Sequence, residues 1–199
     1  MNTCYVFVVV PLLAASLLST RQAPEYTSPP ELQATLEAHE KAIQPGTQHI
    51  DLMRFAGEYT TKESLYLPGT DKPQVSDGFA TIKSEMGGRF LVEHNDGSLM
   101  GEPYTGVRIY GYNNGSKQYE GVWTYSGSTG VRLLSGSSKD EGKTIDFIAN
   151  FRDDAAGLPR TMSVTLKLLD PDHFEVEVKG TLPNGSQGTQ LVTVYTRKS

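Results

Sequence analysis

The chain has 199 residues, a formal net charge of −5 and one cysteine, with a pI of about 5.4. An acidic chain without basic runs lacks the positive surface that nucleic-acid binding requires, so we expect no nucleic-acid partner. Once an N-terminal segment is set aside, the length corresponds to one domain with a continuous hydrophobic core.

Residues 1–20 are predicted to be a signal peptide. An apolar run from Tyr5 to Leu18 ends among small residues, which is typical of a secretory signal. The run is shorter than the roughly 20 apolar residues of a spanning helix, although no Lys or Arg precedes it. An uncleaved anchor and a wrongly chosen start codon are the alternatives. We expect a secreted or periplasmic protein that is not stably inserted in a membrane after cleavage.

The single cysteine, Cys4, lies in this N-terminal segment. The mature chain is therefore predicted to have no disulfide and no thiolate metal site. The four histidines are scattered along the chain and form no short-spaced pair of the kind that metal sites use. We expect no metal and no cofactor.

Residues 21–44 are predicted to form a proline-rich linker and a short helix. Ser28 is a suitable N-cap with Glu31 three residues later, and prolines are tolerated in a first helical turn. The pair Pro45-Gly46 ends the helix. Spacings of four and seven place three apolar residues on one face of the helix: Leu32, Leu36 and Ile43.

Residues 45–199 are predicted to form an all-β domain. Runs rich in Val, Ile, Thr, Tyr and Phe alternate with Gly, Asn, Asp and Pro turns at the spacing of a sandwich or barrel. Strands are expected near 57–65, 77–85, 88–95, 104–112, 118–125, 129–137, 143–151, 160–169, 173–180 and 189–197. Turns are expected at Gly87-Gly88, Asn95–Gly97, Asn113–Gly115, Asp140–Gly142, Asp170–Asp172 and Asn184-Gly185.

The alternation of apolar and polar residues predicts one buried face and one solvated face. It is clearest in 143–151, 160–169 and 173–180, and it is the pattern of an antiparallel sheet packed on one side. Sequential hairpins of this number form either a two-sheet sandwich or a closed barrel, and only the barrel removes both sheet edges. We therefore expect an antiparallel up-and-down barrel of about ten strands, preceded by the short helix.

Several short motifs occur in a fixed order along this domain. They are Pro45–Tyr59 with His49 and Phe55, Gly87–Glu93, Gly101–Gly106 with Gly111–Asn113, Tyr119–Trp123, Ser128–Gly130, Asp170–Phe174 and Tyr195–Lys198. In this order they resemble the family known as domain of unknown function 1579, over roughly residues 45–198.

The resemblance implies a lipocalin-like β-barrel of a kind often found in bacterial proteins and sometimes exported. The family has no established enzymatic activity or ligand that the resemblance could transfer to this chain. One position departs from the family pattern, because Tyr59 stands where the family usually has Trp. Tyr keeps a flat amphipathic ring at that position, so the fold is preserved while the shape of a pocket can differ.

Two polar positions are candidates for ligand contacts. His49 matches the family's His just before the first strand, where it either acts as a ligand or proton carrier at the barrel mouth or hydrogen-bonds to close the barrel end. Arg89 and Glu93 are four apart on one expected strand and therefore share a side. If that side faces inward, Arg89 can bind a ligand carboxylate or phosphate; the alternatives are an internal ion pair and a solvent-facing pair.

Aromatic residues complete the predicted site. Tyr59, Tyr112 and Trp123 are candidate pocket residues, because small barrels either fill with side chains or hold one small ligand. The mature chain contains no nucleophile-elbow motif, no phosphate-binding loop motif and no cysteine that could act as a nucleophile. We therefore predict no catalytic residue.

Three functions are compatible with the sequence. The first is an exported barrel that binds a small apolar or amphipathic molecule. The second is an enzyme that acts at the barrel mouth through His49 and Arg89, which requires both side chains to reach one cavity. The third is a structural or interaction protein with a filled barrel that contacts a partner through residues 24–44. The sequence does not indicate an oligomeric state.

Overall fold

The computed structural model describes residues 29–67, 69–70, 72–154, 156–181 and 186–199. The predicted signal peptide, Cys4, the N-cap Ser28 and the turn at Asn184-Gly185 lie outside the described residues. The chain divides into two compact units, with the boundary between Ala38 and His39.

Two α-helices precede the strands. Helix α1 spans Pro30–Ala42 and begins at the predicted prolines. None of its residues is buried, and the three apolar residues of the predicted face are 44–49% exposed. Helix α2 spans Thr47–Met53 and was not predicted, because the preceding Pro45-Gly46 indicates a helix end rather than the start of a second helix. Among the described residues, no helix is long and apolar enough to cross a bilayer.

Ten antiparallel strands follow and close into a barrel in which each strand pairs with its neighbours in sequence and β1 pairs with β10. The strands are β1 Gly57–Leu65, β2 Gln74–Glu85, β3 Phe90–Leu99, β4 Glu102–Asn113, β5 Gln118–Tyr125, β6 Arg132–Ser138, β7 Thr144–Arg152, β8 Pro159–Leu168, β9 His173–Thr181 and β10 Gln187–Arg197. The prediction of an antiparallel up-and-down barrel of ten strands is confirmed.

The alternation predicted for the last strands is also confirmed. In β7, Ile145, Phe147 and Ala149 are buried while the residues between them are exposed. The burial of β8 and β9 follows the same period of two. This period sets which side chains enter the barrel, because neighbouring strands place directly opposite residues on the same face.

One predicted turn was wrong. Residues Asn95–Gly97 continue β3 and pair with β4, whereas the chain turns at Met100 and Gly101, whose φ angles are +57° and +88°. Gly97 is required for packing, since a Cβ there would lie 2.9 Å from the ring of Tyr104. The small and polar residues that resemble a turn therefore accommodate a cross-strand aromatic ring.

The barrel has two dissimilar ends. At the α2 end the odd-numbered strands begin, and α2 contacts β3 and β4. At the opposite end, called the far end below, the odd-numbered strands finish.

The interior at the α2 end is filled by aromatic side chains. The ring of Phe174 stacks on Tyr195 at 4.0 Å between centroids, and Tyr59 and Phe55 meet Phe174 edge to face at 5.0 and 5.3 Å. All four side chains are at most 2% exposed. This half of the barrel is a packed core.

Candidate functional site

A row of inward-facing residues crosses the middle of the barrel. Glu93 of β3 lies opposite Arg108 of β4, Arg108 lies opposite Trp123 of β5, and Trp123 lies opposite Arg132 of β6. Phe151 of β7 continues the row, with its ring centroid 4.9 Å from the Arg132 guanidinium carbon. Strand alternation thus places two arginines, one carboxylate and two aromatic rings side by side inside the barrel.

The Glu93, Arg108 and Tyr195 side chains form a closed polar cluster. Arg108 Nη1 lies 2.6 Å from Glu93 Oε1 and donates to the Tyr195 hydroxyl at 2.7 Å, and that hydroxyl donates to Glu93 Oε1 at 2.8 Å. Glu93 is 1% exposed and Arg108 is 3% exposed. Burial by itself lowers the pKa of Arg108, but Glu93 together with the nearby Tyr195, Tyr110 and Tyr104 outweighs it and raises that pKa well above its ordinary value. The charge of Arg108 is therefore balanced inside the protein.

Arg132 occupies a different environment. Its guanidinium carbon lies 5.0 Å from the Trp123 ring centroid and 4.9 Å from that of Tyr125, in addition to Phe151. The residue is 6% exposed, and its Nε has no hydrogen-bond partner. Three aromatic faces stabilise a cation, but within the described part of the chain no carboxylate pairs with it.

A third polar group lies between β1 and β4. The Tyr104 hydroxyl donates a short hydrogen bond to the Glu63 carboxylate and accepts one from Asn95 Nδ2 at 3.1 Å. Glu63 is 4% exposed, and burial raises the pKa of its carboxyl group, only partly opposed by the Tyr104 hydrogen bond and by Arg108. Burial likewise raises the pKa of the Tyr104 phenol, and the Glu63 charge raises it further.

These groups border a cavity of about 200 Å³ at the far end. Its polar lining consists of Glu63, Tyr104, Arg108, Arg132 and Gln190, and its remaining lining is Leu65, Leu99, Trp123, Tyr125, Met162, Val178 and Leu191. The apolar lining residues other than Trp123 and Tyr125 come from β1, β3 and β8–β10, and the arginines and aromatic rings come from β4–β6, while Glu63 on β1 and Gln190 on β10 add polar groups.

The structure places the predicted residue His49 at the α2 end. His49 is buried in α2, and its Nδ1 accepts a hydrogen bond from the Gly46 backbone N–H at 3.0 Å. Burial lowers the pKa of the imidazole, and the positive charge of Arg89 lowers it further, against a backbone hydrogen bond with Tyr112. The ring meets Tyr112 edge to face at 5.9 Å. These contacts hold α2 against the barrel.

The structure does not bring Arg89 together with Glu93. Strand β3 begins at Phe90, so Arg89 belongs to the preceding turn, where its Nη1 donates to the Met86 carbonyl at 3.2 Å. Glu93 faces inward as expected, but its partner is Arg108. Neither His49 nor Arg89 lines the far-end cavity.

The other predicted residues separate into two groups. Tyr59 lies in the aromatic core, where its hydroxyl donates to the Phe55 carbonyl at 3.1 Å and Arg197 lies over its ring. Tyr112 lines a polar surface cavity of about 270 Å³ near α2 together with Gln48 and Asp51. Of the six predicted residues, Trp123 alone lines the far-end cavity. Glu93 does not border the cavity, but it forms an ion pair with Arg108, which does.

Sequence reasoning missed Arg108, Arg132 and Glu63, and it did not select Tyr104 as a candidate ligand contact. Arg132 is flanked by Val131 and Leu133, which are 54% and 57% exposed while the arginine between them is buried. Arg108 stands similarly between Val107 and Ile109. In both strands the apolar neighbours of the arginine suggest that they, and not the arginine, face the interior. Only the alternation through Gly106, Tyr110 and Tyr112 assigns Arg108 to the interior.

No group of three or more His, Cys, Asp or Glu side chains among the described residues has an arrangement suited to a metal ion.

Comparisons with known proteins give a family and two similar solved structures. The family model described as "Protein of unknown function (DUF1579)" matches residues 44–197. The crystal structure of Rv2717c from M. tuberculosis matches with a TM-score of 0.54 and 12% identity, over 78% of this chain and 100% of that chain. A redesigned beta barrel matches with a TM-score of 0.38 and 14% identity, over 73% and 93% of the two chains. No curated protein matches the sequence.

Proposed function

The chain belongs to the family described as protein of unknown function (DUF1579), and for this member we propose that the far-end cavity binds a small amphipathic molecule. The shape and lining of the cavity support this function. The lining combines apolar side chains from β1, β3 and β8–β10 with the guanidinium groups and aromatic rings of β4–β6, so it suits the two parts of an amphipathic ligand.

The cavity volume limits the size of the ligand. A cavity of about 150 Å³ in an apolar core holds one benzene molecule, whereas drug-sized ligands occupy roughly 300–1,000 Å³. The far-end cavity, at about 200 Å³, therefore accommodates a single ring or a short chain with one polar group. Larger ligands such as long-chain lipids would have to extend past the rim into solvent.

A single observation carries the proposal: the barrel is filled at one end only. Aromatic side chains pack the α2 end to near-zero exposure, which matches the filled-barrel alternative for that half. At the far end the inward residues Trp123, Tyr125 and Met162 are only partly buried and surround the cavity. The part of the interaction hypothesis that involves residues 24–44 stays a prediction.

The proposed enzyme at the barrel mouth gains no support from this geometry. It required His49 and Arg89 to reach one cavity, whereas the imidazole Nδ1 accepts a helix-capping hydrogen bond and the guanidinium caps a turn. Neither residue borders the far-end cavity.

Binding is measurable through the only tryptophan in the chain, Trp123, because it lines the cavity. Titration with small probes such as benzyl alcohol, benzoate and hexanoate should change its fluorescence in a saturable manner. The variant Val178→Phe fills part of the cavity and should weaken binding at least about tenfold. The matched control Val75→Phe places the same ring on an exposed outward position of β2 and should bind as the wild type does. Equal binding by both variants, or no saturable signal with any probe, would contradict the proposal.

We also propose that the protein is exported, on the basis of the apolar run and small residues in positions 1–20. N-terminal sequencing of the protein recovered from the culture medium or periplasm should give a chain that begins after the small-residue zone at positions 14–20. Recovery of the full-length chain from the cytoplasm alone would contradict export.

A further inference from the structure

Arg132 is a buried cation whose charge no described residue balances. Burying an ionised group without a partner is costly, so buried charges in proteins are normally paired or coordinated. Arg132 is 6% exposed, makes none of the ion pairs found among the described side chains, and has an Nε without a hydrogen-bond acceptor. It also lines the far-end cavity.

A neighbouring arginine shows what a balanced site looks like in the same row. Trp123 lies between the two arginines, with its ring centroid 5.0 Å from each guanidinium carbon. Arg108 is paired with Glu93 at 2.6 Å, whereas Arg132 has aromatic faces alone. Arg132 lacks both the carboxylate and the tyrosine hydroxyl that Arg108 contacts.

The remaining carboxylate of the cavity does not pair with Arg132. Glu63 accepts its hydrogen bond from Tyr104, and no ion pair joins it to Arg132. Of the two guanidinium groups in the described cavity lining, Arg132 is therefore the one without a carboxylate partner.

We infer that Arg132 binds the carboxylate of a small amphipathic monoanion, whose apolar part lies against the wall formed by Leu65, Leu99, Met162 and Leu191. This inference rests on the proposed function and specifies its ligand class. A planar guanidinium matches a carboxylate in a two-pronged arrangement, and the carboxylate supplies the one negative charge that the row lacks. A phosphate monoester is less suited, because it brings a charge of about −1.5 to −2 to a site with one unbalanced cation.

Matched ligands test the charge requirement in the wild-type protein. Benzoate and benzyl alcohol have the same ring and differ in the carboxylate, and phenyl phosphate adds the larger charge. Titration of Trp123 fluorescence at constant ionic strength should give the tightest binding for benzoate, at least about tenfold tighter than for benzyl alcohol. Inorganic phosphate, which has no apolar part, should not bind in the same concentration range.

Matched variants test the role of Arg132. Arg132→Met keeps an unbranched side chain between the rings of Trp123, Tyr125 and Phe151 but removes the charge. Arg132→Lys keeps the charge but removes the planar guanidinium group. Arg152→Met is the control, since it removes the same charge from an exposed position on the neighbouring strand. Benzoate affinity should fall at least about tenfold in Arg132→Met, fall less in Arg132→Lys, and stay unchanged in Arg152→Met. Benzyl alcohol should bind all four proteins equally.

Urea unfolding of the ligand-free proteins shows whether misfolding of Arg132→Met explains a loss of benzoate binding. Burying a charge without a partner is costly, so ligand-free Arg132→Met, which removes that charge and keeps a side chain of similar length, should unfold at the same or a higher urea concentration than the wild type. If benzoate and benzyl alcohol bind equally well to the wild type and to Arg132→Met, the role of Arg132 is refuted while the binding function stands. If phenyl phosphate binds more tightly than benzoate, the carboxylate assignment is wrong. If no probe binds and Val178→Phe changes nothing, the proposed function itself fails.

Discussion

The buried ion pair between Glu93 and Arg108 gives the sharpest test of how this barrel is stabilised. Replacing Arg108 by Met leaves a carboxylate that is 1% exposed with the Tyr195 hydroxyl as its remaining donor. Removing one partner of a buried pair costs about 3–5 kcal/mol, against a total stability of about 5–15 kcal/mol for a typical domain. The double variant Arg108→Met/Glu93→Gln should be more stable than Arg108→Met alone, because no ionised group is then left unpaired.

Urea unfolding followed by Trp123 fluorescence and by circular dichroism measures these differences. A suitable control is Lys179→Met, which breaks the ion pair with Glu177 on the surface, where Lys179 is 50% exposed; it should cost no more than about 1 kcal/mol. The reasoning is refuted if Arg108→Met also costs less than about 1 kcal/mol. The single variant Glu93→Gln completes the comparison. The reasoning is also refuted if the free-energy costs of Arg108→Met and Glu93→Gln add up to the cost of the double variant, since the two residues would then act independently.

Three further changes test other parts of the structure. The pKa of Glu63 is raised above its ordinary value of 4.5, so the contribution of Glu63 to stability declines as the pH rises above that value. The stability of Glu63→Gln relative to the wild type should therefore increase between pH 4.5 and 8. A stability difference that does not change with pH would contradict this. The lowered pKa of His49 has the opposite sign: stability should be lost as pH falls below the ordinary value of 6.5, and His49→Asn, which keeps an acceptor for the Gly46 N–H, should flatten that part of the pH profile. Gly136→Ala places a Cβ against the Asp146 carbonyl and 2.8 Å from the Phe147 ring; it should cost about 1–3 kcal/mol in urea unfolding, whereas Gly130→Ala, whose nearest contact is 3.7 Å, should be close to neutral.

Much of the architecture follows from local sequence signals. The ten strands lie where alternation and turn residues predict them, and β1 and β5 have the predicted bounds. Local signals failed where a residue serves a distant partner. Gly97 resembles a turn residue but makes room for the ring of Tyr104 on the next strand. Helix α2 is too short for a periodic pattern, and its His49 caps the helix N-terminus.

The candidate site could be predicted only in part. The structure places the candidate residues Glu93 and Trp123 inside the barrel. Arg89 was expected on β3, which begins two residues later than predicted. That difference places Arg89 in a turn and leaves Arg108, fifteen positions along the chain from Glu93, as the actual partner.

The sequence by itself determined the number, order and approximate bounds of the strands, because apolar alternation and turn chemistry act between near neighbours. The tertiary structure decided which side chains meet inside the barrel. Arg108, Trp123 and Arg132 lie side by side because of the register of three strands, and that register depends on pairing around the whole closed sheet. A shift of one residue would move each of these side chains to the other face, so no local pattern could place an unbalanced arginine beside the far-end cavity.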